Sequence, residues 1–179
     1  MRFIPLELAG AFLIEPDRHQ DDRGWFARTY CAREFEAHGL PTHMVQASQS
    51  FTRRAGTLRG MHYQEAPDAE DKLVRCTRGR IWDAIIDLRP ASPTYCRWHG
   101  TELSEENGRM LLVPQGFAHG FVTLQDDVAV AYQMSAYHAP QSARGVRWDD
   151  PAFGIAWPVE VLEMSDKDRH WPDFTREPR

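Results

Sequence analysis

The chain is poor in the features that mark several classes of protein. Cysteine is scarce: Cys31, Cys76 and Cys96 lie far apart, are odd in number and form no C-x-x-C spacing. That argues against a disulfide framework or a structural zinc and fits a reducing, cytoplasmic setting. Basic charge is not in excess. The 21 Lys and Arg are outnumbered by 26 Asp and Glu, for a formal net charge of -5. A nucleic-acid binder that relies on a broad basic field is thereby disfavoured, whereas a local basic pocket for a small anion is not. Long apolar runs are missing. The N-terminal stretch MRFIPLELAGAFLIEPDRHQDD is broken by Pro5 and Glu7, so it reads as neither a signal peptide nor a membrane span. Repeats, low-complexity tracts and linkers are absent as well, which predicts one domain over residues 1–179.

What is present is ordinary globular composition, 42% hydrophobic and 26% charged, in a chain long enough to build a core. Short β-rich runs recur near 10–15, 24–30, 43–51, 57–63, 72–78, 80–88, 95–103, 110–113, 119–124 and 128–135. Turn residues separate them, among them Arg78-Gly79 and Pro114-Gln115-Gly116. Many short strands at this spacing predict an all-β sandwich or barrel. Helix is confined to AREFEAHG (32–39), with its glycine stop, and SDKDRH (165–170), with Ser165 as N-cap and acids in the first turn.

One strand stands out. TLRGMHYQ (57–64) holds a titratable imidazole and a guanidinium within a few residues. Period-2 alternation puts Leu58, Gly60, His62 and Gln64 on one face and Thr57, Arg59, Met61 and Tyr63 on the other. A single strand histidine is more often structural than catalytic. Here Arg59 and Lys72 stand close in sequence, and a small β-barrel has room for one ligand inside. Polar groups aimed there would be expensive unless used. LLVPQGFAHGF (111–121) reads as strand, turn and strand, with His119 either incidental or aimed inward. Its P-x-G-x-x-H pattern suits a cupin-type barrel. Metal cupins carry a paired H-x-H in an earlier strand, and MHYQ offers only His62 there. Two histidines with no acid nearby in sequence make a poor metal site, so none is expected. In VAVAYQMS (128–135) periodicity alone makes Tyr132 a core residue, although its phenol could also face a ligand. DDRGWFART (21–29) and SARGVRW (142–148) each pair Arg-Gly with aromatics, a combination suited to phosphate and a stacked base but equally common in packed turns.

Taken in order, DDRGWF, GTLRGMHYQ, KLVRCTRGRIWDAIIDLRPASPTY, VPQGFAHGF, VAYQMSAYHAP, ARGVRWDDPAFGIAWP and SDKD cover most of residues 20 to 170. In these stretches the chain resembles the dTDP-4-dehydrorhamnose 3,5-epimerase family of RmlC-like cupins. The resemblance implies a jelly-roll β-sandwich with a few short peripheral helices, a homodimer, no cofactor and no metal. It implies a nucleotide-linked 4-keto-6-deoxy sugar as the partner, with no nucleic acid and no membrane. His62 matches the general base, Asp168 the carboxylate that orients it, Tyr132 the acid on the opposite face and Lys72 the cation near the C4 oxygen. Arg59 and His119 match further pocket residues, Arg23 a phosphate-binding arginine, and Phe26, Gln46, His138 and Lys167 further substrate contacts. The chain departs from the family pattern at Arg28, Ala47, Ser48, His138 and Ala143. dTDP is the first choice of nucleotide, with CDP or GDP as alternatives. Inversion at C3, C5 or both stays open. The rival readings are a sugar-nucleotide-binding cupin without turnover, disfavoured by the retained base and acid, and a metal cupin, disfavoured by the missing H-x-H.

Overall fold

The structure, a computed structural model, describes residues 1–176. In chain order the elements are β1 (Arg2–Pro5), β2 (Phe12–Glu15), β3 (Arg18–Asp21), β4 (Gly24–Ala27), α1 (Ala32–Ala37), β5 (Gln46–Thr52), β6 (Leu58–Gln64) and β7 (Lys72–Arg78). Next come β8 (Arg80–Asp87), β9 (Trp98–Ser104), β10 (Met110–Val113), β11 (Phe117–Thr123), β12 (Val128–Met134), β13 (Ala143–Gly145) and α2 (Asp166–Arg169). A six-stranded sheet runs β1-β2-β10-β7-β12-β5, a five-stranded sheet runs β13-β6-β11-β8-β9, and β3 with β4 forms a separate hairpin. The expected all-β class is what the structure shows.

The two sheets face each other over an apolar layer. Leu13, Val74, Leu111 and Val130 from the first meet Ile81, Ile85, Leu103, Phe117 and Phe121 from the second. The outer faces are covered too. Phe35 of α1 packs with Ile14, Leu73, Met110 and Leu112 behind the first sheet. The segment carrying Val146 and Phe153 packs with Met61, Ala84, Ile86 and Ala118 behind the second. Burial on both faces is why MLLV and AII (84–86) read as continuous apolar runs rather than alternating ones. The chain crosses between sheets at Gly79, whose φ of +75° suits a residue without Cβ.

Three strands escaped the sequence pattern, each for a physical reason. β1 ends on Pro5, tolerated because β1 is an edge strand. β3 is RHQD, exposed throughout, with no apolar face to signal it. β13 has only three residues. No helix among the described residues is long and apolar enough to cross a membrane.

Candidate active site

A cavity of about 510 Å³ opens between the sheets. β5 supplies Gln46, Ser48 and Ser50, β6 supplies Arg59 and His62, and β7 supplies Lys72. His119 comes from β11 and Tyr132 from β12, while Glu70 and His138 come from connecting segments. Seven of the sequence-predicted residues therefore share one cavity: Gln46, Arg59, His62, Lys72, His119, Tyr132 and His138.

Arg59 and His62 share it despite the period-2 expectation that placed them on opposite faces. The pairing of β6 with β11 shifts register. His62 stands opposite His119 and Arg59 opposite Phe121, so β6 spends three residues where β11 spends two. This bulge turns both side chains to the same side. Glycine makes it feasible. A Cβ on Gly60 would lie 2.4 Å from the Gly120 Cα, and one on Gly120 would lie 2.8 Å from the Arg59 carbonyl oxygen. The RGMH and AHGF motifs thus record two backbones in close contact.

His62 Nε2 lies 2.5 Å from Asp168 Oδ1. Asp168 arrives on α2, whose Ser165 cap accepts the Asp168 N–H at 3.1 Å. The entry to that helix is tied to β6 by the Leu58 N–H donating to the Glu163 carbonyl at 2.8 Å. Burial works against the charge on Asp168, but the His62 hydrogen bond and the Gly60 N–H hold its carboxyl below the usual range. One imidazole nitrogen is committed to this carboxylate, which leaves the other to take a proton. Asp168 and Lys167 line a second hollow of about 390 Å³ that shares Arg59 and His62 with the first.

A second histidine–carboxylate pair lies deeper. His119 Nε2 is 2.9 and 3.1 Å from the two oxygens of Asp83. Burial raises the Asp83 carboxyl, opposed by His119. Folding brings each histidine a carboxylate, the expected Asp168 from 106 positions away and Asp83 from 36. Asp83 was missed in the sequence, although an acid inside the apolar run RIWDAIIDL needs a buried partner and could have been flagged.

Tyr132 is not merely core. It packs against the inter-sheet cluster, and its ring lies edge-on to His119 at 6.3 Å. Its hydroxyl meets Ser50 Oγ at 3.2 Å. Burial pushes the phenol above its ordinary value, with Ser50 opposing, so it is a neutral proton donor near pH 7. Lys72 Nζ lies 3.2 Å from Glu70 Oε1 and donates to the His62 carbonyl at 3.4 Å. Arg59 is fixed by donating to Thr52 Oγ1 at 2.9 Å and the Phe51 carbonyl at 3.2 Å. Arg23 and Phe26 do not line this cavity. They sit on the exposed β3–β4 hairpin, where Arg23 bonds only Asp21 among the contacts described.

The cavity thus joins a carboxylate-backed imidazole, a neutral phenol and an ammonium inside a two-sheet sandwich. Fold and site together define a cupin-type β-sandwich that gathers acid and base groups in one cavity. Comparison with known proteins narrows that class. The family model described as dTDP-4-dehydrorhamnose 3,5-epimerase matches residues 5–176. A dTDP-4-dehydrorhamnose 3,5-epimerase of Methanothermobacter thermautotrophicus is 43% identical, over 99% of this chain and 96% of its own. The crystal structure of the Bacillus anthracis enzyme with TDP and PPi bound is 42% identical, has a TM-score of 0.94 and is matched over 97% of this chain and 99% of its own. A Legionella pneumophila dTDP-6-deoxy-D-glucose-3,5-epimerase in complex with dTDP-4-keto-L-rhamnose is 36% identical with a TM-score of 0.88, over 93% and 89% of the two chains. The chain belongs to the dTDP-4-dehydrorhamnose 3,5-epimerase family, a family of isomerases.

Proposed function

We propose that this protein epimerises a dTDP-4-keto-6-deoxyhexose at the carbons flanking the ketone, C3, C5 or both, through an enolate. The observation that carries the reading is the placement of His62 and Tyr132 on opposed sheets, lining one cavity together with Lys72. The C4 ketone acidifies the hydrogens at C3 and C5. His62, oriented by Asp168, removes a proton from one face; a positioned general base contributes about 10²–10⁴ in rate. Lys72 holds the oxygen on which charge develops, and a preorganised donor there contributes about 3–4 kcal/mol. Tyr132 returns a proton to the other face. Arg59, Gln46, His119, His138 and Lys167 line the route to this centre and contact the rest of the substrate.

The same reading assigns a homodimer. Arg23 and Phe26 do not reach the cavity of their own chain, so as nucleotide contacts they serve a second copy. The hairpin exposes Trp25 and Phe26, and β5 is an open edge beside the cavity. A cytoplasmic setting fits cysteines that are few, far apart and odd in number.

Proton NMR in D2O with dTDP-4-keto-6-deoxy-D-glucose tests the proposal. Deuterium at C3 and C5 identifies a 3,5-epimerase, and deuterium at one carbon a mono-epimerase. No exchange with this substrate or its CDP and GDP counterparts leaves a binding protein without turnover.

A further inference from the structure

We propose that Glu70 is a positioning residue for the reaction: with the His62 carbonyl, it anchors the Lys72 ammonium so that its remaining N–H faces the substrate ketone oxygen. This rests on the functional reading above. Lys72 carries its charge on a flexible four-carbon stem, and such a charge is a poor oxyanion donor unless it is held in advance. An ammonium has three donors and no acceptor. Glu70 Oε1 stands 3.2 Å from Nζ, and the His62 carbonyl oxygen 3.4 Å. Two donors are thereby engaged, and one is left for the cavity. The second anchor is the backbone of the proposed base, so base and oxyanion donor are held relative to each other.

Glu70 is itself well placed for the task. Its side chain is 10% exposed and that of Lys72 13%, so bulk water competes little for the pair. It is the only carboxylate among the described residues lining the main cavity, since Asp168 and Asp83 stand behind their histidines. Glu70 precedes Lys72 by two residues, and both line the same cavity. The next residue, Asp71, clamps the segment. Its N–H donates to Ser135 Oγ at 2.7 Å, and its carboxylate accepts from the Ser135 hydroxyl at 3.0 Å and the Gln115 N–H at 3.2 Å. The backbone that presents Glu70 is therefore fixed from two other parts of the chain.

Two substitutions separate position from charge. Glu70→Ala removes the anchor, whereas Glu70→Gln keeps an acceptor beside the ammonium and removes only the charge. With dTDP-4-keto-6-deoxy-D-glucose, Glu70→Ala lowers kcat about tenfold, and Glu70→Gln recovers most of that loss. Affinity for dTDP, which lacks the sugar, stays within about twofold in both. Wild-type kcat in Glu70→Ala overturns the proposal. So does a loss that Glu70→Gln shares in full, or one matched by an equal loss of dTDP affinity. Should Glu70→Ala fail to fold, Glu70→Asp decides: its shorter carboxylate draws the ammonium back, so kcat falls while dTDP affinity holds, and an unchanged kcat counts against the role. A wild-type protein that exchanges no deuterium defeats the functional reading itself; an active one indifferent to Glu70→Ala defeats only this inference.

Discussion

His62 and His119 face each other across β6 and β11, and each holds a carboxylate. The surroundings differ. The His62 side chain is 41% exposed over an Asp168 that is 5% exposed; for His119 and Asp83 the values are 5% and 0%. The first pair opens onto water and ligand, where its imidazole can exchange a proton. The second is buried in the cavity wall, where a fixed hydrogen bond orients a ring beside Tyr132. On the proposed reading the same two residue types serve proton transfer in one place and shape the pocket wall in the other, and burial decides which.

The widest gap between the pairs is expected in rate. His62→Ala lowers kcat by about 10²–10⁴, while the open site refills with water and unfolding free energy in urea falls by only about 1 kcal/mol. His119→Ala reverses the emphasis. It strands the Asp83 carboxylate in the sandwich, and urea unfolding shows a loss of about 3–5 kcal/mol. Similar stability losses in the two variants break the distinction. A smaller effect sharpens it: Tyr132→Phe keeps part of the solvent exchange at carbon but loses inversion at C5, as followed by NMR. Loss of all exchange would give Tyr132 more than the donor role.

The smallest effect expected is in the pH dependence of stability, and here the two aspartates act with opposite sign. The folded Asp168 carboxyl lies below the ordinary aspartate value of 3.8. Its contribution is present above that value and disappears as pH falls through the lower folded one. The folded Asp83 carboxyl lies above 3.8. Its contribution is complete below that value and is lost as pH rises through the higher folded one. In urea unfolding between pH 3 and 7, acidification narrows the stability gap between wild type and Asp168→Asn. It moves the comparison with Asp83→Asn in favour of wild type. Parallel pH profiles contradict the assigned directions.

Much of this was legible in the chain. Alternating strands and turn residues disclosed the all-β class, and the family motifs named His62, Lys72, Tyr132 and Asp168 before any fold was in view. Local pattern failed where tertiary structure sets the outcome. Period 2 separated Arg59 from His62 because a bulge between two glycines leaves no local mark. Tyr132 read as core because an inward phenol and an apolar ring occupy the same strand position. Asp83 went unnoticed because its partner His119 comes from strand register rather than from a neighbouring residue, and Glu70 because an acid two residues from a lysine is equally the mark of an ordinary exposed ion pair. The RHQD strand was invisible because it faces solvent on both sides.

The most direct test of the account is deuterium incorporation from D2O at C3 and C5 of dTDP-4-keto-6-deoxy-D-glucose, followed by proton NMR for His62→Ala beside wild type. Wild type is predicted to exchange and the variant to show no exchange at either carbon on the wild-type timescale. Near-normal exchange in folded His62→Ala would remove His62 as the base and contradict the account at its centre.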